Sequence, residues 1–280
     1  MDYVQKQKLD DKARMLRYHI LEMVAGEASK GGHLGGSNSA ADIIAALYFY
    51  KMKVDPQNPK DEDRDRFILS KGHAALVQYA ALAELGFFPR EELKKAKTLG
   101  GVLQGHPDMR RTPGIEASTG SLGMGLSIAL GIALGMQMDG NARKVYVMMG
   151  DGELAEGQIW EAAIAAAHRK LNNLVAIVDL NKIQAMGLTA DRMQIDDLLE
   201  RFASFGWHTI QIDGHKIAEI CEALDAADDI FDKPVVIIAE TIKGKGVSFA
   251  EGNAAYHNAV GITREQYEIA KSDIASYVCG

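Results

Sequence analysis

The alternation of apolar and polar segments predicts strands and helices in turn from residue 66 onward. Five short apolar runs have the length and β-branched content of buried strands, and they lie at 66–70, 145–149, 174–179, 207–212 and 234–241. Helical spacing of apolar residues marks the segments between and after them: 74–85, 91–98, 121–138, 157–170, 217–231 and 263–277. This order predicts an α/β fold with a doubly wound, mostly parallel sheet and helices on both faces.

The segment before the first strand is predicted to be helical on both sides of a glycine-rich loop. A first helix is expected over 9–28, the loop over 30–36, and a second helix that is capped by Ser37 or Ser39 and runs to about Tyr50. No repeat, low-complexity tract or linker divides the chain. One domain covering residues 1–280 is therefore predicted.

Composition adds limits to this picture without changing it. The chain has 280 residues, of which 47% are apolar and 25% charged, as in ordinary globular proteins. Its formal net charge of −7 argues against nucleic acid as the main partner. The two cysteines, Cys221 and Cys279, imply no disulfide framework and fit a cytoplasmic protein.

The chain is not expected to associate with a membrane. Its first residues are polar and lack the apolar core of a secretory signal. No uninterrupted apolar run reaches the roughly 18 residues of a transmembrane helix. The run from Leu122 to Met138 comes closest, and its glycines favour a buried core helix instead.

Oxygen ligands follow two of the predicted strands. Gly150-Asp151-Gly152 comes directly after one strand, and Asn181 comes directly after the next, with the Ile183 carbonyl two residues further on. Because the carboxyl ends of parallel strands face one crevice, Asp151 and Asn181 are expected to meet there. Oxygen-only ligation suits Mg²⁺ or Ca²⁺ better than zinc. Taken alone, Gly150-Asp151-Gly152 is explained about equally well as a tight strand-to-helix turn with the aspartate as cap. Asn181 favours the metal site, because a helix cap needs no partner 30 residues away.

Two further features are suited to an anion. The helix that opens at Gly120–Gly123 can direct backbone N–H groups at a phosphate. Lys243, in a glycine-containing loop, is the best candidate for a phosphate-binding lysine. For its neighbour Lys245, a solvated surface loop is an equally good interpretation.

Four of the eight histidines lie in separate loops that carry glycine: His33, His73, His106 and His257. A single loop histidine is usually a solvated surface residue, but four at predicted junctions are harder to explain in that way. Imidazoles can bind diphosphate, hold sugar hydroxyls and transfer protons near neutral pH. His168 and His208 are interpreted as structural, and His19 and His215 receive no role.

Several familiar catalytic motifs are absent. The sequence contains no GxSxG, HExxH or Walker A motif. Gly123-Met124-Gly125 begins a GxG, but Ile128 stands where a dinucleotide-binding motif has its third glycine. A nicotinamide site is therefore disfavoured.

With these motifs in place, the chain resembles transketolase. Gly150-Asp151-Gly152 followed by Asn181 is similar to the thiamine diphosphate motif of that family. The resemblance runs in order through nearly the whole chain, in SKGGHLGGSNSAADI at 29–43, RFILSKGHA at 66–74, GHPD at 105–108, STGSLGMGLSIALG at 118–131, GDGELAEGQIWEA at 150–162, DLNKIQ at 179–184 and TIKGKG at 241–246.

The resemblance implies a role for each matching residue. It implies Mg²⁺ (or Ca²⁺) ligation by Asp151, Asn181 and the Ile183 carbonyl. Contacts with thiamine diphosphate are implied for His73, Gly120, Leu122, Gly152, Glu153, Asn181, Lys243 and His257. His33, His106 and His257 are implied catalytic residues that hold the hydroxyls of a ketose donor and assist proton transfer. Glu156 and Glu161 match carboxylates that are buried at a subunit interface.

The resemblance also shows departures. The His33 loop reads His-Leu-Gly-Gly where many relatives have His-Pro, and Met186-Gly187 replaces a common Asp-Gly. Full-length transketolases continue into a pyrimidine-binding and a C-terminal domain. The chain is therefore expected to be the N-terminal subunit of a split enzyme, in a heterotetramer with a C-terminal subunit that supplies the cofactor-activating glutamate and grips phosphorylated sugars.

The expected activity is transfer of a two-carbon ketol unit from a ketose to an aldose, and the isolated chain is expected to be inactive. A subunit of a 1-deoxyxylulose-phosphate synthase or of a 2-oxo acid decarboxylating enzyme is an alternative, because both share the metal motif. The four loop histidines favour transketolase, since sugar hydroxyls need such donors and pyruvate does not. A non-catalytic scaffold remains a third interpretation, against which the intact ligands Asp151 and Asn181 weigh.

Overall fold

Seven strands form the β-structure of the computed structural model, which describes residues 2–25 and 31–279. They are β1 (Arg66–Leu69), β2 (Val145–Gly150), β3 (Leu174–Leu180), β4 (Ile183–Gln184), β5 (Gly187–Leu188), β6 (His208–Asp213) and β7 (Val235–Glu240). Five of them make one sheet in the order β1-β2-β3-β7-β6, and every pair in it is parallel. The β4–β5 pair is a separate antiparallel hairpin. The five strands predicted from the apolar runs and the α/β class are confirmed.

Ten α-helices accompany the strands within the described ranges. They are α1 (Tyr3–Ala25), α2 (Leu34–Ser39), α3 (Ala41–Ala46), α4 (Ala75–Leu85), α5 (Met124–Met138), α6 (Gly157–His168), α7 (Thr189–Arg192), α8 (Leu198–Ser204), α9 (Ile217–Ala226) and α10 (Arg264–Ser276). Short 3₁₀ segments at 72–74, 90–95, 152–155, 227–229 and 254–256 and a π-helical turn at 47–51 complete the secondary structure.

The two faces of the sheet bury separate apolar cores because side chains alternate along each strand. In β2, Tyr146 and Met148 belong to the core beneath α1, α3 and α4. Val145, Val147 and Met149 belong to the core beneath α5, α6 and α8. The doubly wound arrangement thus follows directly from strands that are apolar on both sides.

The register of the central strands brings their polar ends together. Gly150 of β2 lies opposite Asp179 of β3, and Leu180 lies opposite Glu240 of β7. The segments that follow these residues therefore meet at one edge of the sheet, as the sequence predicts.

Two regions differ from the prediction. The glycine-rich loop is partly helical, because α2 begins at Leu34, and neither Ser37 nor Ser39 provides a side-chain cap. The hairpin β4–β5 and the helices α7 and α8 lie in a region without a predicted element, where no clear apolar period marks them. Residues 26–28 of the predicted first helix and residue 30 of the loop fall outside the described residues.

The expectation of a buried core helix over 122–138 holds for one side of the helix only. Helix α5 begins at Met124, and its buried residues lie on one side, against the sheet. On the other side Met124 is 45% and Met138 79% exposed, and nothing packs against Gly131 or Gly135. Among the residues that the structure describes, none of the helices combines the length and apolarity that a bilayer span requires.

Candidate functional site

A cavity of about 120 Å³ lies at the carboxyl edge of the sheet, between the ends of β1, β2, β3 and β7. The structure brings most of the sequence-predicted residues to its wall: His73, Leu122, Asp151, Gly152, Glu153, Asn181, Ile183, Lys243 and His257. Gly36, Lys71, Gly150, Gln184 and Ala185 complete the lining. The three predicted metal ligands therefore share one small space.

Asp151 is held rigidly by backbone donors. Its Oδ1 accepts a hydrogen bond from the Gly152 N–H at 2.8 Å, and its Oδ2 accepts one from the Lys182 N–H. Burial, together with the nearby charge of Asp179, raises the pKa of Asp151 to about 6. A bound cation would reverse this shift, because it favours the ionised carboxylate.

Asn181 is oriented by Asp179, which is completely buried. The Asn181 amide donates to Asp179 Oδ2 at 3.0 Å, while its Oδ1 accepts from the Ile183 N–H at 3.2 Å. These two bonds fix which side of the amide is oxygen. Asp179 thus orients a predicted ligand without lining the cavity.

Asp179 itself lies at the centre of a buried hydrogen-bond network. It accepts from Ser39 Oγ at 2.7 Å and from Thr241 Oγ1, and it forms an ion pair with Lys71. Burial alone would raise the pKa of Asp179, but the Lys71 ammonium and these donors bring it to about 2. The carboxylate therefore stays ionised and connects β3 with α2, β1 and β7.

Lys243 is 2% exposed, and its ammonium donates to the Ile183 carbonyl at 2.7 Å. Burial and the positive charge of Lys71 lower its pKa to about 8. No carboxylate within 4.0 Å pairs with it among the described residues. Lys243 is thus a buried cation that points at the predicted metal ligand set, whereas Lys245 lies at the surface beside Glu251.

The four loop histidines converge on one place. The ring centroid of His33 lies 5.3 Å from that of His73, 6.2 Å from that of His257 and 6.4 Å from that of His106, and His73 and His257 are 5.1 Å apart. His33 and His106 do not line the cavity but adjoin the two that do. His168 lies at the exposed end of α6 and His208 begins β6, away from this cluster.

The cluster is uncharged near neutral pH. Burial, followed by neighbouring positive charges, lowers the pKa of His33 to about 4, of His73 to about 2 and of His257 to about 3. The pKa of the more exposed His106 is also lowered, by burial and by Lys97. Each neutral ring offers one N–H donor and one acceptor nitrogen. His257 Nδ1 is buried and has no hydrogen-bond partner among the residues that the structure describes, so it is available to a ligand.

Glu153 supports the loops around the cavity. Its carboxylate accepts from the Gly123 N–H at 2.8 Å, from the Gly150 N–H at 3.1 Å and from Ser70 Oγ. The Gly125 N–H likewise donates to Ser70 Oγ, at 3.1 Å. The N–H groups of Gly123 and Gly125 at the start of α5 are therefore already paired within the chain. For the backbone at Gly120 and Leu122, contact with an anion stays a prediction.

Gly120 marks a close approach between two loops. It has a φ of +139°, and a Cβ at this position would lie 2.8 Å from Cδ2 of His106. A side chain here would displace the imidazole. Leu122, two residues on, is 38% exposed and forms part of the cavity rim.

Three residues of the site carry no role in the sequence-based interpretation. Asp179 and Lys71 form the ion pair below the cavity. Lys97 connects the loops of two histidines: its ammonium donates to the Gly31 carbonyl at 2.6 Å, and its side chain runs beside Gly105. A polar residue inside a predicted buried strand, as Asp179 is, was the one signal that could have revealed such a residue.

A metal at this site would rest on a mixed donor set. Across residues 2–25 and 31–279, no group of three His, Cys, Asp or Glu side chains could hold a metal ion. The oxygens of the predicted ligand set come instead from one carboxylate, one amide and one backbone carbonyl. Hard divalent cations accept such a set when ligand phosphate oxygens complete it.

Comparison with known proteins identifies the family to which this site belongs. Residues 10–273 match the family of transketolase, thiamine diphosphate binding domain. The chain belongs to the transketolase family. The geometry described above is accordingly that of a thiamine-diphosphate-binding domain, and the chain is a transketolase subunit.

Two similar relatives are themselves named as transketolase subunits. The chain is 46% identical to a 6-deoxy-6-sulfo-D-fructose transketolase subunit of Clostridium sp. (strain MSTE9), over 95% of this chain and 96% of the relative. It is 40% identical to an apulose-4-phosphate transketolase subunit of Phocaeicola vulgatus, over 98% of this chain and 96% of the relative.

Longer transketolases match over less of their length. The crystal structure of the transketolase from Campylobacter jejuni superposes with a TM-score of 0.89 and 32% identity, and the match covers 100% of this chain and 44% of the longer one. The transketolase fold expected from the sequence motifs is confirmed by this superposition.

Proposed function

We propose that this chain, assembled with a C-terminal transketolase subunit, transfers a two-carbon ketol unit from a ketose donor to an aldose acceptor. The observation that carries the proposal is the convergence of four neutral histidines beside an oxygen-ligand set and a buried lysine. Sugar hydroxyls and a diphosphate need these groups together. A sugar or sugar phosphate is the substrate class, as in the names of the two subunit relatives.

The residues of the cavity fit Mg²⁺ (or Ca²⁺) bound to thiamine diphosphate. Asp151, Asn181 Oδ1 and the Ile183 carbonyl would hold the cation, and diphosphate oxygens would complete its shell. Lys243 and His73 would bind the diphosphate, together with backbone at Gly120, Leu122 and Gly152. The unpartnered Nδ1 of His257 supports a ligand at the same place. Glu153, whose oxygens already accept three donors, would position these loops.

The chemistry that bound thiamine diphosphate supplies is cleavage of a ketose between C2 and C3 and delivery of the two-carbon unit to an aldehyde. His33, His106 and His257 orient donor hydroxyls through their neutral rings. Each can accept a hydroxyl proton at its free nitrogen or donate one from its N–H. Lys97, between the His33 and His106 loops, favours a donor with negative charge.

A second subunit is needed to complete the site. A cavity of about 120 Å³ is smaller than the roughly 300–1,000 Å³ of pockets that enclose a whole ligand. The exposed sides of α5 and α6 next to it present Leu122, Met124 and Ile164, and such apolar surface indicates a protein contact. Glu156 and Glu161, at the start of α6, are also exposed and would be covered by that contact.

Further parts of the proposal concern organisation and location. The continuous sheet, with one core on each face, supports a single diphosphate-binding domain over residues 1–280. We propose a heterotetramer of two such chains and two partner subunits. Both cysteines are buried and unpaired, which supports a cytoplasmic location for an enzyme of carbohydrate metabolism.

The experiment that tests this function mixes the chain with its partner subunit, thiamine diphosphate and Mg²⁺. Ketol transfer from a panel of ketose phosphates to aldose phosphates is followed by mass spectrometry of the products. We expect transfer by the mixture and no measurable transfer by either chain alone. Turnover by this chain alone at the rate of the mixture would contradict the need for a partner.

Two controls separate the alternatives. Pyruvate replaces the ketose in one, and its decarboxylation would favour a 2-oxo acid enzyme or a 1-deoxyxylulose-phosphate synthase. Calorimetry of thiamine diphosphate binding to the assembled complex is the other, and absence of binding would favour a scaffold.

A further inference from the structure

A second buried carboxylate, Asp42 of α3, lies outside the cavity and gathers five donors. Both terminal nitrogens of Arg17 donate to it at 2.7 Å, and both residues are fully buried. His215 Nδ1 lies 2.7 Å from Oδ2, and the Tyr277 hydroxyl and Cys279 thiol approach at 3.1 Å each. Arg17 alone neutralises the charge of Asp42, so the other three donors are not needed for that purpose.

The charge state of this network is fixed. Burial would raise the pKa of Asp42, but the Arg17 guanidinium beside it keeps that pKa well below its usual range. An ionised carboxylate only accepts hydrogen bonds. The ring nitrogen that faces it, His215 Nδ1, therefore carries a proton.

The other nitrogen of His215 meets the loop that carries Lys243. The backbone N–H of Ile242 lies 2.8 Å from His215 Nε2. Since a backbone N–H can only donate, Nε2 must be the acceptor nitrogen of the ring. Asp42 thus selects the tautomer of His215 that can bind Ile242, the residue immediately before Lys243.

The same network holds the loop on the far side of Lys243. Arg17 Nε donates to the Lys245 carbonyl at 3.0 Å. Between the two contacts, the Gly244 N–H donates to the Gly35 carbonyl at 2.9 Å. The residues that flank Lys243 are therefore fixed by groups that do not touch the cavity, and Lys243 alone extends from this loop to the Ile183 carbonyl at 2.7 Å.

We propose that Asp42 and His215 are positioning residues, which hold the 242–245 loop so that the Lys243 ammonium points at the diphosphate and metal ligands. This inference rests on the proposed function, because it assumes that Lys243 contacts the cofactor. It gives His215 a role in cofactor affinity although the side chain lies outside the cavity. A fixed lysine binds a phosphate without first losing its own conformational freedom.

Two substitutions of one residue separate positioning from simple structural support. Asn at position 215 places its amide near the position of Nδ1 and can still donate to Asp42, but it cannot reach Ile242. Gln places its amide oxygen near the position of Nε2, where it can accept from the Ile242 N–H, and it gives up the bond to Asp42. Each variant therefore keeps one of the two hydrogen bonds of His215.

The variants are compared in the complex with the partner subunit. We expect His215→Asn to raise the Kd for thiamine diphosphate with Mg²⁺ about fivefold, and His215→Gln to leave it within about twofold of the unsubstituted chain. The thermal unfolding midpoint is expected to follow the opposite order, because His215→Gln leaves Asp42 with one donor fewer. If His215 had only a structural role, the variant that loses more stability would also lose more affinity.

A second measurement does not depend on the cofactor. Hydrogen exchange of the 241–246 segment, followed by mass spectrometry without thiamine diphosphate, reports whether the Ile242 N–H is still bonded. We expect faster exchange in His215→Asn than in His215→Gln. Equal exchange, or equal loss of affinity in both variants, overturns the positioning role. If the unsubstituted complex fails to bind thiamine diphosphate, the proposed function fails instead, and this failure is visible before either variant is examined.

Discussion

The carboxylates at the ends of two neighbouring strands, β2 and β3, have pKa values that are shifted in opposite directions. Asp179 of β3 has Lys71 and two hydroxyls around it, and its pKa falls to about 2. Asp151, just after β2, receives only two backbone N–H groups, and burial raises its pKa to about 6. Asp179 lies opposite Gly150, the residue immediately before Asp151, so both carboxylates lie at the same edge of the sheet.

The difference separates a carboxylate whose charge the chain itself satisfies from one whose charge the chain leaves poorly compensated. Asp179 is satisfied by the chain and stabilises its neighbours in doing so. Asp151 lies where burial disfavours its charge, and the proposed cation would offset that cost. Carboxylates whose pKa is raised by burial are often found at functional sites.

The largest expected effect is on the satisfied carboxylate. Asp179→Ala leaves Lys71 buried without its partner, and we expect a loss of about 3–5 kcal/mol in the free energy of unfolding. Urea denaturation followed by circular dichroism measures this loss. Asp151→Ala is the matched control, and a similar loss in both variants would contradict the distinction between the two strand ends.

The next effect concerns Asp151, the proposed cation ligand. Asp151→Asn keeps the size of the side chain and one acceptor oxygen but removes the charge. We expect the affinity of the assembled complex for thiamine diphosphate with Mg²⁺ to fall about 100-fold, or about 2.7 kcal/mol, with the stability of the chain lowered by less than about 1 kcal/mol. Isothermal titration calorimetry gives the first quantity and urea denaturation the second. Unchanged affinity would remove Asp151 from the metal site.

The smallest effect distinguishes the two carboxylates by pH. Because the pKa of Asp151 is raised on folding, the folded chain binds its proton more tightly, and stability from this group falls as pH rises from about 4 to about 6. Asp179 has a lowered pKa, so its contribution is lost as pH falls from about 4 to about 2. Asp151→Asn should remove only the decline between pH 4 and 6, worth about 1–3 kcal/mol.

Unfolding free energies measured across this pH range check the signs. The comparison between the unsubstituted chain and Asp151→Asn isolates one group, since all others titrate in both. A decline of equal size in the variant would mean that the raised pKa belongs elsewhere.

The residues that bind could be predicted from the sequence better than the residues that support them. Asp151, Asn181 and the four loop histidines carry glycine neighbours or follow apolar runs, so their place at the strand ends follows from local pattern. Asp179 and Lys71 also lie at the ends of apolar runs, but the sequence does not show that they pair with each other, and Lys97 carries no local mark. Their contacts join residues far apart in the chain, as in the bond between Ser39 and Asp179, and no local period records them.

Local conformation was predicted less well where tertiary contacts decide it. The segment that starts at Leu34 reads as a glycine loop, yet it is helical in the structure. Gly35 packs closely there, since a Cβ at this position would lie 2.9 Å from the Tyr256 carbonyl oxygen and 3.1 Å from Cγ of Lys243. The outer side of α5 reads as core because its apolar residues outnumber its polar ones. Its exposure in this chain reflects which side of the helix faces the sheet.

The sequence by itself determined the strands, the placement of polar residues at the carboxyl ends of parallel strands, the types of ligand atom and the resemblance to transketolase. Each of these depends on residue identity and short-range spacing. Only the tertiary structure decided that Asp179 is ionised and that the charge of Asp151 is disfavoured. It also decided that Lys243 points at the Ile183 carbonyl and that His215 bonds to the loop that carries Lys243. These properties depend on distances between distant segments and on burial, since both change the free energy of a charge by several kcal/mol.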